Sequence, residues 1–122
     1  MNGINTVFLL GRLGKDVQTN NTPSGKFYVD LNVATNRKVK QNNEWVEHTD
    51  WHQIRFWGKQ AETCERYLKK GSLLAVQGSI RTDSWLNDNG ETQYKTYVSG
   101  SQLHLLPQTQ PKKPQLIPLS NN

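Results

Sequence analysis

Along most of this chain apolar and polar side chains take turns, and that alternation favours strands over any other element. From Phe27 the odd positions Phe27, Val29, Leu31 and Val33 are apolar, whereas Tyr28, Asp30 and Asn32 between them are mostly polar. A period of two puts the apolar set on one face of a pleated strand and leaves the other face to solvent or a ligand. Leu74, Val76, Gly78 and Ile80 repeat the pattern against Ala75, Gln77, Ser79, Arg81, Asp83 and Trp85. Between Thr49 and Trp57, Ile54 and Phe56 stand opposite Trp51, Gln53, Arg55 and Trp57. Val7 to Leu10 is apolar throughout and preceded by Ile4, a pattern expected of a strand covered on both faces. A last strand is expected from about Glu91 to Leu105, after Asn87-Asp88-Asn89-Gly90, a strong hairpin-turn signal.

One stretch breaks the alternation. In Lys59–Lys70, Ala61, Cys64 and Leu68 recur at helical spacing, Glu62 and Arg66 form an i,i+4 pair, and Gly71 is placed to end a helix at C′. The order is three strands, one short helix and two strands. That predicts an all-β chain, an OB-fold: a five-stranded Greek-key barrel with one short helix between strands three and four. A chain of 122 residues is enough for one such domain. Residues 107–122 hold four of the five prolines, two lysines and no acid, and are expected to form a disordered basic tail behind a domain of residues 1–106. No stretch approaches a membrane span, and no basic segment precedes the first apolar run, so neither an anchor nor a secretory signal is expected. The single cysteine, Cys64, excludes an intrachain disulfide and fits a reducing compartment. Its place on the apolar stripe gives it a packing role.

The polar faces carry the chemistry. A net charge of +5 favours an anionic partner. Trp51, Arg55 and Trp57 project from one face of their strand, and Arg81 and Trp85 share a face of another. Core packing does not call for aromatics opposite Ile54 and Phe56. A nucleobase needs a flat π surface and its phosphate needs a cation, and only a single strand has base faces free to stack. Arg37, Lys38 and Lys40 lie in a polar stretch that reads as too long for a tight turn. It is expected to be a flexible arm meeting phosphates, the alternative being a solvated hairpin tip. His48, Asp50 and His52 alternate on the Ile54 side. They could ligate a metal, but their parity favours a buried or interface histidine bonded to a neighbour. Gly11-Arg12-Leu13-Gly14 precedes no helix, so its glycines are expected to let the first strand bend. No GxSxG, Walker loop or HExxH occurs, and neither catalytic residues, metal nor cofactor is expected.

Six motifs occur in an order that resembles bacterial single-stranded DNA-binding proteins. They are Asn5–Asp16, Leu31–Asn36, Thr49–His52, Trp57–Glu62, Tyr67–Ser72 and Gly78–Trp85. The resemblance covers nearly all of residues 1–106. It implies a non-catalytic OB-fold homotetramer that coats single-stranded DNA in replication, recombination and repair, in a bacterial cytoplasm and on the nucleoid. It implies base stacking on Trp51, Trp57 (often Phe in the family) and Trp85, with Lys59 beside Trp57 as a further phosphate contact. A stacking Trp common near position 39 is Val39 here, and Trp45 is a candidate substitute. His52 matches a subunit-interface histidine, and pairing of first strands between subunits would place Thr6 and Phe8 in that interface. The family's acidic tail tip is replaced by a basic segment, so recruitment of other replication and repair proteins is expected to be reduced or absent. Two rival readings are another OB-fold nucleic-acid module and a metal-dependent hydrolase built on His48, Asp50 and His52.

Overall fold

In a computed structural model, which describes residues 2–108, the alternating segments are strands. They are β1 (Val7–Leu13), β2 (Gln18–Asn21), β3 (Phe27–Gln41), β4 (Glu44–Trp57), β5 (Leu73–Leu86) and β6 (Thr92–Leu105), with one helix, α1 (Gly58–Tyr67), between β4 and β5. Their order is β1-β5-β6-β4-β3-β2, and β1 also pairs with β3. That extra pairing closes β1, β3, β4, β5 and β6 into the expected OB-fold barrel, with the helix where the sequence puts it. The short strand β2 is an addition, paired with Phe27–Asp30 at the edge. Its sequence, QTNN, is polar throughout and carries no alternation.

Closure depends on one close approach. Arg12 is in register with Leu73 of β5 and with Ala34 of β3. A Cβ on the preceding Gly11 would run into the Ala34 carbonyl oxygen. Gly11 therefore makes room for a neighbouring backbone where β1 passes from β5 to β3. Inside the barrel, Val29, Leu31 and Val33 of β3 pack with Ile54 and Phe56 of β4, Leu74 and Val76 of β5, and Ala61 and Cys64 of α1. Each large apolar side chain buried this way contributes about 1.5–3 kcal/mol. On β1, Leu13 is buried in this core, and Val7 and Leu9 lean on it. Phe8 and Leu10 are exposed, so the chain by itself covers one face of that strand rather than two.

Three local expectations are corrected. The helix ends at Tyr67 rather than Lys70: the Leu68 N–H still donates to the Cys64 carbonyl (3.0 Å), but Leu68 is already extended. Gly71, with φ 90°, is not its C′ residue and lies in a turn closed by Ser72 N–H donating to the Lys69 carbonyl. The basic stretch is not a flexible loop. β3 and β4 run straight through it as a paired ribbon, with Lys38 opposite Glu47 and Lys40 opposite Trp45. Its turn is Asn42-Asn43 with φ 50° and 63°, the left-handed pair that a two-residue hairpin of matching twist requires. Ile80 is half exposed rather than core-facing, because β5 leaves the barrel beyond a bulge at Gln77/Gly78.

Both ends of the barrel portion of β5 are fastened by a side-chain amide acting as an extra strand residue. Asn5 donates to the Ile80 carbonyl (2.7 Å) and accepts from its N–H (2.8 Å). Gln108 does the same at Leu73, at 2.8 and 2.7 Å. The rest of the expected tail, residues 109–122, lies outside the described residues. Among the described residues no helix is long and apolar enough to cross a membrane.

Burial pushes the Cys64 thiol up to about 12. At pH 8 only about one part in ten thousand is then thiolate, the form that reacts. Native protein is expected to resist iodoacetamide at pH 8 and to be labelled once unfolded in urea, as read by intact mass.

Candidate nucleic-acid interface

The register of β3 and β4 is unbroken from Tyr28↔Trp57 to Gln41↔Glu44. The odd residues of β4 therefore keep one side, and Trp45, Trp51, Gln53, Arg55 and Trp57 share it. Facing them on β3 are Tyr28, Asp30, Asn32 and Ala34. On the neighbouring hairpin, Arg81 opposes Tyr97 and Trp85 opposes Gln93. The Tyr97 ring lies 4.9 Å from the Arg55 guanidinium carbon, so Arg81 and Trp85 join the same outer surface. The four indoles remain between 39% and 67% exposed. Ile54 and Phe56 beneath them are fully buried. The indoles are thus surplus to the core.

Two of these indoles wall clefts. Trp57 lines one of about 420 Å³ with Lys26, Phe27 and Gly58. Trp51 lines another of about 310 Å³ with Gly14, Lys15 and Asn32. Gly14 is required here because a Cβ would enter the Trp51 ring, which is why this glycine follows β1. At the ribbon end the Lys40 Nζ sits 6.0 Å from the Trp45 ring centre. Each β4 indole thus has a lysine: Lys26, Lys15 or Lys40. Trp45 is separate from the other two, twelve residues from Trp57, which is roughly 40 Å of extended strand. Lys38, Lys59 and Arg81 are exposed.

Sequence reading missed Lys15, Lys26, Phe27, Tyr28 and Tyr97. Lys15 and Lys26 come from the turns flanking β2, and only three-dimensional closure brings them to Trp51 and Trp57. Tyr28 does sit in the alternating pattern on the polar side. Its partner Trp57, at 4.8 Å between ring centres, is legible only from register.

The arginines differ from the lysines. Arg55 donates to both oxygens of Asp30, at 2.8 and 3.3 Å, and its guanidinium carbon lies 4.4 Å from the Tyr28 ring centre. That hydrogen bond raises the Arg55 pKa above its ordinary value. Burial, with the Asp83 carboxylate beside it, raises that of Tyr97. Arg37 donates to Asp50 at 2.7 Å, and this bond lowers the Asp50 pKa. His48 approaches the other Asp50 oxygen at 3.4 Å, whereas the His52 Nε2 is 2.8 Å from the Thr35 hydroxyl. His48, Asp50 and His52 therefore do not converge, and among the described residues no three His, Cys, Asp or Glu could hold a metal ion. Of the expected interface residues, Thr6 is exposed just before β1, and Phe8 stacks on His104 at 6.1 Å.

Open aromatic faces interleaved with cations can hold unstacked rings and the anions between them. The single-strand binding protein family is matched over residues 4–106. Among solved structures, the chain is similar to a Plasmodium falciparum SSB in complex with ssDNA. The two are 27% identical, the match covers 88% of this chain and 98% of that one, and the TM-score is 0.76.

The Gly14–Trp51 contact makes a direct prediction. Gly14→Ala must displace the indole, and overpacking of this kind costs about 1–3 kcal/mol. The variant is expected to stay folded by circular dichroism, with a shifted tryptophan emission and a lower urea midpoint.

Proposed function

The chain belongs to the single-strand binding protein family, and from that premise we propose that it binds single-stranded DNA, largely without regard to sequence, on the outer face of β4 and the β5–β6 hairpin. The observation that carries this reading is the row of exposed indoles on strands whose opposite faces are already filled, each β4 indole with a lysine beside it. Bases stack on Trp51, Trp57 and Trp85, with Trp45 as a further platform at the ribbon end. Lys38, Lys40, Lys59, Arg37 and Arg81 supply phosphate contacts, joined by Lys15 and Lys26. Stacking tolerates any base because every base has a π face, and the cations meet a backbone common to all sequences. The replication, recombination and repair roles typical of the family follow from coating exposed single strands, and the reading assigns no catalysis.

The assembly proposed is a homotetramer. Its support is the exposed pair Phe8 and Leu10 on β1, and the edge of that strand which, among the described residues, is unpaired ahead of its pairing with β3. An unpaired apolar edge invites another strand. Thr6 and Phe8 lie at that edge, and His52, half-buried and bonded to Thr35, lies at a second contact.

Titration with oligo-dT is expected to quench tryptophan emission, and duplex of equal length to do so far less. Trp51→Ala, Trp57→Ala and Trp85→Ala should each weaken binding by about 1–3 kcal/mol per stacked base, a magnitude characteristic of single-strand-binding OB-folds rather than one this geometry yields. Three alanine variants binding like the parent would refute the stacking face. Light scattering should give four times the 14.0 kDa chain mass, and His52→Glu should reduce it by forcing an unpaired charge into a packed contact. A monomer at micromolar concentration would overturn the assembly.

A further inference from the structure

Arg55 stands on the DNA-facing surface, yet its charge is turned inward. Its side chain is 15% exposed and that of Asp30 is 14%. Asp30 accepts from Nε and from one terminal nitrogen, and the rings of Tyr28 and Tyr97 lie 4.4 and 4.9 Å from the guanidinium carbon. A planar guanidinium suits this arrangement, pairing in a fork with a carboxylate while lying against aromatic rings, as a lysine could not. Tyr28 in turn lies against Trp57, 4.8 Å between centres. The cleft at Trp57 has Lys26, not Arg55, in its wall.

We propose that Asp30 and Arg55 are positioning residues: they hold the Tyr28 ring packed against Trp57 at a tilt of 40°, so that the braced indole forms one stacking platform, and Arg55 makes no phosphate contact of its own. The proposal rests on the reading that single-stranded DNA binds at the Trp57 face. Tyr28 thereby joins the interface, and Tyr97 carries the same cluster across to the β5–β6 hairpin.

Asp30→Asn separates this from the alternative in sign. The substitution is nearly isosteric and removes a negative charge from a surface that meets phosphate. If Arg55 contacts phosphate, Asp30→Asn frees it and oligo-dT binds tighter, with a steeper salt dependence. If the pair positions the platform, Asp30→Asn weakens binding by at least about threefold, the lower range of couplings between touching residues. The log–log salt slope then stays that of the parent, whereas Lys38→Gln flattens it by roughly 0.7. In a Trp57→Ala background Asp30→Asn should have no further effect, since the platform is already gone; a general loss of stability would persist there. Tyr28→Leu, which leaves the ion pair in place, should weaken binding comparably. Equal or tighter binding by Asp30→Asn, an effect that persists without Trp57, or parental affinity in Tyr28→Leu each overturns the proposal. Failure of the parent to prefer oligo-dT over duplex would instead refute the reading beneath it.

Discussion

The surface proposed to face DNA depends on β1 leaving β5 and reaching β3 at Arg12. Without that seam the sheet stays open, and β3 and β4 have no closed wall behind them on which to present a flat row of side chains. The seam exists because Gly11 lets the Ala34 carbonyl come close. It is reinforced where Leu13 N–H donates to the Ser72 carbonyl and Gly71 N–H to that of Leu13. It also sets the position of Gly14, the residue that follows, and hence the resting place of the Trp51 ring. One short run of β1 thus closes the core and sets the Trp51 ring, a proposed stacking platform.

Beyond the barrel the same strands continue as two ribbons, and their physics changes. On the β3–β4 ribbon past Asn36 and the β5–β6 hairpin past Ile80, nearly every residue is exposed on both faces. Little apolar area is buried there, so these ribbons rest on ladder hydrogen bonds, cross-strand pairs and their turns. Elements of this kind open at lower free energy than the core. Trp45 and Trp85 ride on the ribbons, while Trp51 and Trp57 stand on the barrel wall. The proposed path therefore combines two fixed platforms with two adjustable ones. That suits a ligand whose backbone has no single shape.

The alternation made the barrel, its helix and the outward tryptophans legible, because period-two burial is a local property of each strand. It was silent where nothing is buried. The RKVKQNNE stretch read as a loop because both its faces are polar, and a ribbon without a core leaves no periodic trace; its Asn-Asn turn was the only mark. β2 escaped for the same reason. What no single strand can carry is register. Tyr28 beside Trp57, Asp30 beside Arg55 and Lys15 beside Trp51 are cross-strand or through-space neighbours, fixed only once the pairing is fixed. Arg55 was placed on the correct face, but its partner lay one strand away.

That partner raises a question of charge. Asp30 is an acid on the surface proposed to meet a polyanion. A bare carboxylate about 4 Å from a phosphate would cost roughly 4 kcal/mol at an effective dielectric near 20. That exceeds what one stacked base contributes. Asp30, however, is bonded to Arg55, so the pair presents a neutral unit to the strand. The lysines, with flexible stems, follow the phosphates together with Arg37 and Arg81. Arg55, enclosed with its carboxylate, is placed to hold Tyr28 but not to track a mobile backbone. The division follows from side-chain chemistry and exposure: the enclosed, planar Arg55 guanidinium suits a platform, and exposed, flexible cations suit the ligand.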